Sequence, residues 1–164
     1  MERRRERIYV DLDDTLCKFT DASDKAKAKV PGQKFPQAQM DFYRKLEPIR
    51  NAVHAMNKLA EHYDVWILSR PSYLNPLCYT EKRLWVEDHL GIDWCERLIL
   101  CSDKSLLKGD WLIDDVDWPG FEGKQIKFGA IATGRMRQLA GPIFIDWSEI
   151  LEYLIVERIK NGED

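Results

Sequence analysis

Residues 8–16 read IYVDLDDTL, and the fold turns on them. Ile8, Tyr9 and Val10 form a short β-branched and aromatic run suited to a strand buried on both faces. Asp11, Asp13, Asp14 and Thr15 follow at once. Outward along the chain the pattern of apolar run and polar cluster repeats. VWIL precedes Ser69 and Arg70, LILC ends at Cys101 ahead of Ser102, Asp103 and Lys104, and WLI precedes Asp114 and Asp115. IKFGAIA after Gln125 and IFI before Asp146 are two further strand candidates.

Helical stretches lie between these runs. From Pro48, IRNAVHAMNKLAEHY sets Ile49, Val53, Met56, Leu59 and Ala60 on one face, with Pro48 as a starting residue. YTEKRLWVEDHLG carries Leu84, Trp85, Val86 and Leu90, and Gly91 is a C-terminal stop. SEILEYLIVERIK reads as a last helix with Ser148 at its N-cap. Strands alternating with helices predict an α/β fold, a doubly wound parallel sheet of Rossmann-like type. Such sheets bind ligands beyond the carboxyl ends of their strands, where four polar clusters are expected to converge.

The 164 residues fit a single domain, 1–164, and 45% hydrophobic with 32% charged content is ordinary globular composition. A formal net charge of -3 gives no global basic field, so nucleic acid is not the expected partner, although terminal or single-stranded substrates stay open. The opening MERRRERIYV lacks a long apolar core and no run approaches the ~20 apolar residues of a membrane span, so a cytoplasmic location is expected. Cys17, Cys78, Cys95 and Cys101 form no Cys-x-x-Cys pair and read as reduced, mostly buried thiols, with Cys17 partly exposed beside the Asp11 motif.

Residues 18–45 break the alternation. VPGQKFPQ interrupts a Lys-rich stretch and disfavours one long helix, so an insertion after the first strand is expected, in the form of a small cap. Its Lys25, Lys27 and Lys29 are either a solvated face or an attraction for an anionic substrate.

The strand-end residues fit phosphate monoester hydrolysis. That reaction needs a fixed nucleophile, an acid for the leaving oxygen and positive charge about the phosphoryl group. Asp11 is the candidate nucleophile, forming an aspartyl-phosphate, and Asp13 the candidate acid and base. Clustered carboxylates repel, and Mg²⁺, which prefers oxygen ligands, relieves that repulsion; Asp11, Asp13, Asp114 and Asp115 are its candidate ligands. Ser69 is a hydrogen-bond donor to phosphate, Lys104 a neutralising charge, and Arg70 either a phosphate or sugar contact or an exposed loop residue. Each residue alone has a bland reading as a turn former, cap or surface charge; their order along the chain is what favours chemistry.

IYVDLDDTL, VWILS, Lys104 within SDKS and WLIDD resemble the four motifs of the haloacid dehalogenase superfamily, over nearly the whole chain. FYRKLEPI, EHYDVWILS, PSYLNPLCYTEKRLWVEDHLG, SDKSLLKGDWLIDD and FEGKQIKF are similar to the 5'(3')-deoxyribonucleotidase, or cytosolic type C nucleotidase, family, residues 73–82 carrying its aromatic-Asn-Pro-x-Cys-Tyr-x-Glu-Lys run. The resemblance implies a Rossmann-like core with a cap after the first strand. It also implies dephosphorylation of nucleoside monophosphates, usually deoxy ones, with Asp11, Asp13 and Asp114 in the nucleophile, acid/base and metal roles. Ser69, Lys104 and the backbone near Asp13 would then meet phosphate.

The departures from that pattern concern substrate. The insertion is short, Val116 stands where the family carries a polar side chain, and AIATGRMRQ replaces a Thr-rich, His-Asn-containing stretch. Phe19, Phe35, Phe42 and Tyr43 either stack on a base or pack the cap, and Tyr73 is equally ambiguous. Two rivals stand beside a nucleotidase: a phosphatase of the same core acting on a sugar phosphate, nucleic-acid end or protein, and a non-catalytic phosphate- or nucleotide-binding module.

Overall fold

The structure is a computed structural model describing residues 4–32, 34–129 and 141–162. In chain order it runs β1 Arg7–Val10, α1 Phe19–Lys29, α2 Ala52–His62, β2 Asp64–Ser69, α3 Cys78–Leu90, β3 Leu98–Leu100, β4 Trp111–Asp114, β5 Lys124–Phe128, β6 Ile143–Phe144 and α4 Trp147–Lys160. Short 3-10 turns stand at Pro36–Ala38, Ile92–Arg97 and Lys104–Leu106. The six strands form one parallel sheet in the order β3-β2-β1-β4-β5-β6. The chain winds outward from β1 in both directions, as the alternation predicts.

Period-2 alternation divides the core. Ile8 and Val10 pack with Val65, Ile67 and Ile113 against the apolar faces of α2, α3 and α4, in a cluster that includes Met56, Leu59, Trp85, Val86, Ile150 and Leu154. Tyr9 points the other way, with Leu68, Leu112 and Phe121. Among the described residues, that second face is covered by the loops after β3 and β4 rather than by α-helices, because those connections are short.

Helix ends depart from expectation in two places. Ile49 donates its backbone N–H to Leu16 at 2.8 Å and Pro48 bridges Cys17, so the chain stays extended there and α2 begins only at Ala52. At α4 the N-cap is Asp146, whose carboxylate accepts the Ser148 N–H at 2.7 Å; Ser148 lies inside the first turn. Gly91 ends α3 as anticipated, at φ 100°, returning its N–H to Val86 and Glu87.

Residues 18–45 contain α1 and one 3-10 turn. Phe19 stacks on Tyr43 at 5.9 Å and meets Phe42 edge-on at 5.7 Å. The segment is fastened from α3: buried Glu81 accepts the N–H groups of Asp41 (2.7 Å) and Tyr43 (3.0 Å). Asn75, also buried, donates to the Gln37 carbonyl at 2.7 Å. No described helix is long and apolar enough to cross a membrane.

Candidate active site

Between β2 and β4 the strand order reverses around β1, which is where an open α/β sheet leaves a crevice. Asp11 leaves β1 with its N–H on the Ile113 carbonyl at 2.9 Å. Past it the chain makes a tight turn, with Leu16 and Cys17 donating to the Leu12 carbonyl at 2.9 and 3.0 Å. Asp14 sits at φ 56°, a left-handed conformation that Asp tolerates, and accepts the N–H and hydroxyl of Thr20 in the first turn of α1. The carbonyl of Thr15 takes the Trp147 indole N–H at 2.8 Å, anchoring the turn to α4.

The Lys104 ammonium is 2.5 Å from Asp11 Oδ1 and 2.6 Å from Asp114 Oδ2, and all three residues are buried. Burial works against the Lys104 charge, but Asp11 and Asp114 together raise its pKa above the ordinary lysine value. Burial, and then repulsion from Asp11, push Asp114 up to about 6 against the pull of Lys104. One carboxylate oxygen from each of Asp11, Asp114 and Asp115 lies within 4.8 Å of the others. Asp13, expected among the metal ligands, is outside this group: its Oδ2 receives the Lys82 ammonium at 2.8 Å. Burial raises its pKa, with Lys82 opposing and Asp11 adding to the rise.

Ser69 ends β2 fully buried, its hydroxyl accepting from Lys82 at 2.8 Å. Arg70 is exposed and lines a cleft of about 240 Å³ together with Asp11, Asp13, Lys104, Asp114, Asp115, Phe19 and Trp118. Asp11, Asp13, Arg70, Lys104, Asp114 and Asp115 thus share one cleft, and Ser69 is joined to Asp13 through Lys82, while Ser102 and Asp103 are not among its lining residues. Lys25 and Lys29 instead line a separate cleft of about 410 Å³ between α1 and residues 39–47, which holds none of the strand-end carboxylates. Lys27 pairs with Asp24 at 3.6 Å. Phe35 and Tyr73 are exposed, and of Phe19, Phe35, Phe42 and Tyr43 only Phe19 lines the smaller cleft. Cys17 is fully buried rather than partly exposed, and burial beside Asp13 pushes its thiol pKa well up. AIATGRMRQ lies outside the described residues.

Sequence reasoning placed Lys82 at the end of the 73–82 family run but gave it no role at the site. It is fully buried, donates to Asp13, Ser69 and the Arg70 carbonyl at 2.8 Å each, and lies 5.2 Å from the Tyr43 ring centroid. The available signal was its place on α3, one turn from Cys78 and Trp85–Val86, on that helix's apolar face.

Solved structures at low sequence identity share this architecture. A haloacid dehalogenase-like family hydrolase from Xanthomonas campestris superposes with a TM-score of 0.66 at 14% identity, covering 98% of this chain and 95% of that one. The magnesium-bound HAD-hydrolase YfnB of Bacillus subtilis gives 0.65 at 10% identity, covering 93% and 99%. The fold is therefore that of the haloacid dehalogenase-like hydrolases.

The sequence is more specific. A family model described as "5' nucleotidase, deoxy (Pyrimidine), cytosolic type C protein" matches residues 33–156, and the chain belongs to that family. A Vibrio phage KVP40 protein named among the 5'(3')-deoxyribonucleotidases is 32% identical over 158 residues, 92% of this chain and 85% of its own length. The human cytosolic 5'(3')-deoxyribonucleotidase is 42% identical over 78 residues, 46% of this chain and 39% of that protein. The chain thus aligns with well under half of the human protein's length.

Proposed function

We propose that the protein is a cytoplasmic, Mg²⁺-dependent 5'(3')-nucleotidase that hydrolyses nucleoside monophosphates, deoxy ones foremost, through a phosphoryl group carried on Asp11. The observation that carries this reading is the meeting of Asp11, Lys104 and Asp114 within hydrogen-bond distance at the carboxyl ends of β1 and β4. A binding module needs no buried nucleophile with a second carboxylate two residues away; a phosphatase needs both.

The metal fits the donor set. Three buried carboxylates offer oxygen atoms within 4.8 Å of one another, and Lys104 compensates only part of their charge. Asp11, Asp114 and Asp115 would hold Mg²⁺, a hard cation that favours oxygen ligands. When bound, the ion supplies positive charge to the phosphoryl oxygens and offsets the repulsion between substrate and Asp11.

The remaining chemistry falls to side chains. An Asp11 carboxylate oxygen forms a bond to phosphorus as the ester oxygen departs, and Asp13 gives that oxygen its proton. Asp13 then takes a proton from the water that hydrolyses the aspartyl-phosphate, releasing inorganic phosphate and restoring Asp11. Ser69 and Lys104 meet the phosphoryl oxygens, and Arg70 on the cleft wall contacts phosphate or sugar. Residues 18–45 act as a small cap, with Phe19 offering an aromatic face to the nucleotide's base.

The test is phosphate release from a panel of deoxy- and ribonucleoside monophosphates in Mg²⁺ and in EDTA. Mg²⁺-dependent release concentrated on nucleotides is the expected result. Release from an aryl phosphate but from no nucleotide would redirect the reading to another phosphate monoester, and silence on all substrates would overturn it.

A further inference from the structure

We propose that Lys82 is a positioning residue that fixes Asp13 for protonation of the leaving oxygen, a role that rests on the phosphatase reading above. The argument is one of donor and acceptor counting. An ammonium carries three N–H donors and no acceptor. Lys82 spends all three inside the protein, on Asp13 Oδ2, Ser69 Oγ and the Arg70 carbonyl, each at 2.8 Å. The Tyr43 ring lies 5.2 Å from the same nitrogen, and no part of the residue is exposed. A lysine so placed has no donor left for a phosphoryl oxygen. Lys104, which touches the nucleophile itself, is the residue suited to that work.

The bond from Lys82 fixes one oxygen of Asp13 and leaves the other, Oδ1, with the weaker thiol of Cys17 at 3.9 Å. A carboxyl group held by one oxygen presents the other in a set direction, which proton transfer requires. As the P–O ester bond breaks and the Asp11–phosphorus bond forms, the proton leaves Asp13 for the departing oxygen. The Asp13 carboxylate so produced already lies against a positive charge. In the second half-reaction it takes a proton from the attacking water as the Asp11–phosphorus bond breaks, and the pair returns to its starting state. Ser69 Oγ accepts from the same ammonium, so its own hydrogen points elsewhere and is available to phosphate. Lys82 thus orients two groups at once.

Sensitivity to the leaving group separates this role from phosphate binding. An alkoxide leaving group, as in a nucleotide, needs the proton; 2,4-dinitrophenolate does not. The experiment compares kcat for a deoxynucleoside monophosphate and for 2,4-dinitrophenyl phosphate in Mg²⁺, with the parent protein, Lys82→Met and Asp13→Asn. Lys82→Met is expected to lose about 10²- to 10⁴-fold on the nucleotide and less than tenfold on the dinitrophenyl ester. Asp13→Asn should show the same skew. Should Lys82→Met fail to fold by thermal melting, Lys82→Gln, which keeps a shorter polar donor, is measured on the same two esters. An equal loss on both esters, or no loss on either, overturns the proposal for whichever variant is folded. A parent protein silent on both esters overturns the phosphatase reading, and this role with it.

Discussion

The carboxylate of Glu81 accepts the backbone N–H of Tyr43 at 3.0 Å, joining α3 to a point 38 residues earlier in the chain. Its other oxygen takes the N–H of Asp41 at 2.7 Å, so one buried side chain ties residues 41–43 to α3. Glu81→Leu strands both donors, at a cost of about 1–3 kcal/mol. Urea unfolding reads the loss, and amide hydrogen exchange should locate faster opening at residues 41–43. Unchanged exchange there would show that residues 41–43 are held by the aromatic contacts of Phe19, Phe42 and Tyr43 instead.

Asp11→Asn preserves shape and removes the attacking oxygen's charge. Turnover should fall by on the order of 10³-fold or more while the melting temperature stays close to that of the parent. Steady-state phosphate release, with thermal melting as the folding control, decides it.

Mg²⁺ should raise the melting temperature by mass action, and the rise should shrink in Asp114→Asn and in Asp115→Asn. Melting curves across a magnesium titration, without substrate, give the comparison. Equal rises in all three proteins would place the ion elsewhere.

His89 packs against Trp85 with ring centroids 4.6 Å apart and ring planes tilted by 44°, and burial lowers its pKa although Asp88 opposes the shift. The folded state therefore binds this proton less readily than the unfolded chain. The stability contributed by the neutral ring is complete above about pH 6.5 and declines as the pH falls through that value toward the lower folded-state pKa. Melting from pH 8 to pH 5 should show a steeper acid-side loss for the parent than for His89→Gln; parallel curves would remove the effect.

Much of this was legible in the chain because β1, β2 and β4 are apolar runs with polar residues set at their ends. An apolar run fixes a buried strand, and a carboxylate that follows it directly has few places to go but the sheet's end. Asp11 and Asp114 were readable on that ground. The role of Lys82 was not, because a lysine flanked by Thr80, Glu81 and Arg83 reads as a surface charge even on the face that carries Cys78, Trp85 and Val86. Its burial comes from the packing of α3 beside the ends of β1 and β2, and neighbouring residues do not state that contact. The start of α2 was hidden for a similar reason: the Leu16 carbonyl, far back in the chain, holds Ile49 extended. Carboxylate spacing along the chain suggests a shared cation for Asp13, and it does not show the Lys82 ammonium that lies 2.8 Å from that carboxylate.

The central place of β1 also bears on how the molecule comes into being. Ile8 pairs with Val65 on one side and Trp111 on the other, so the strand leading into Asp11 acquires its second neighbour only once the residues through Trp111 have been synthesised. Until Trp111 has left the ribosome, one edge of that apolar strand offers unpaired N–H and C=O groups to any strand nearby. That edge stays open while β2, α3 and β3, which lie between β1 and β4 in the chain, are made and packed.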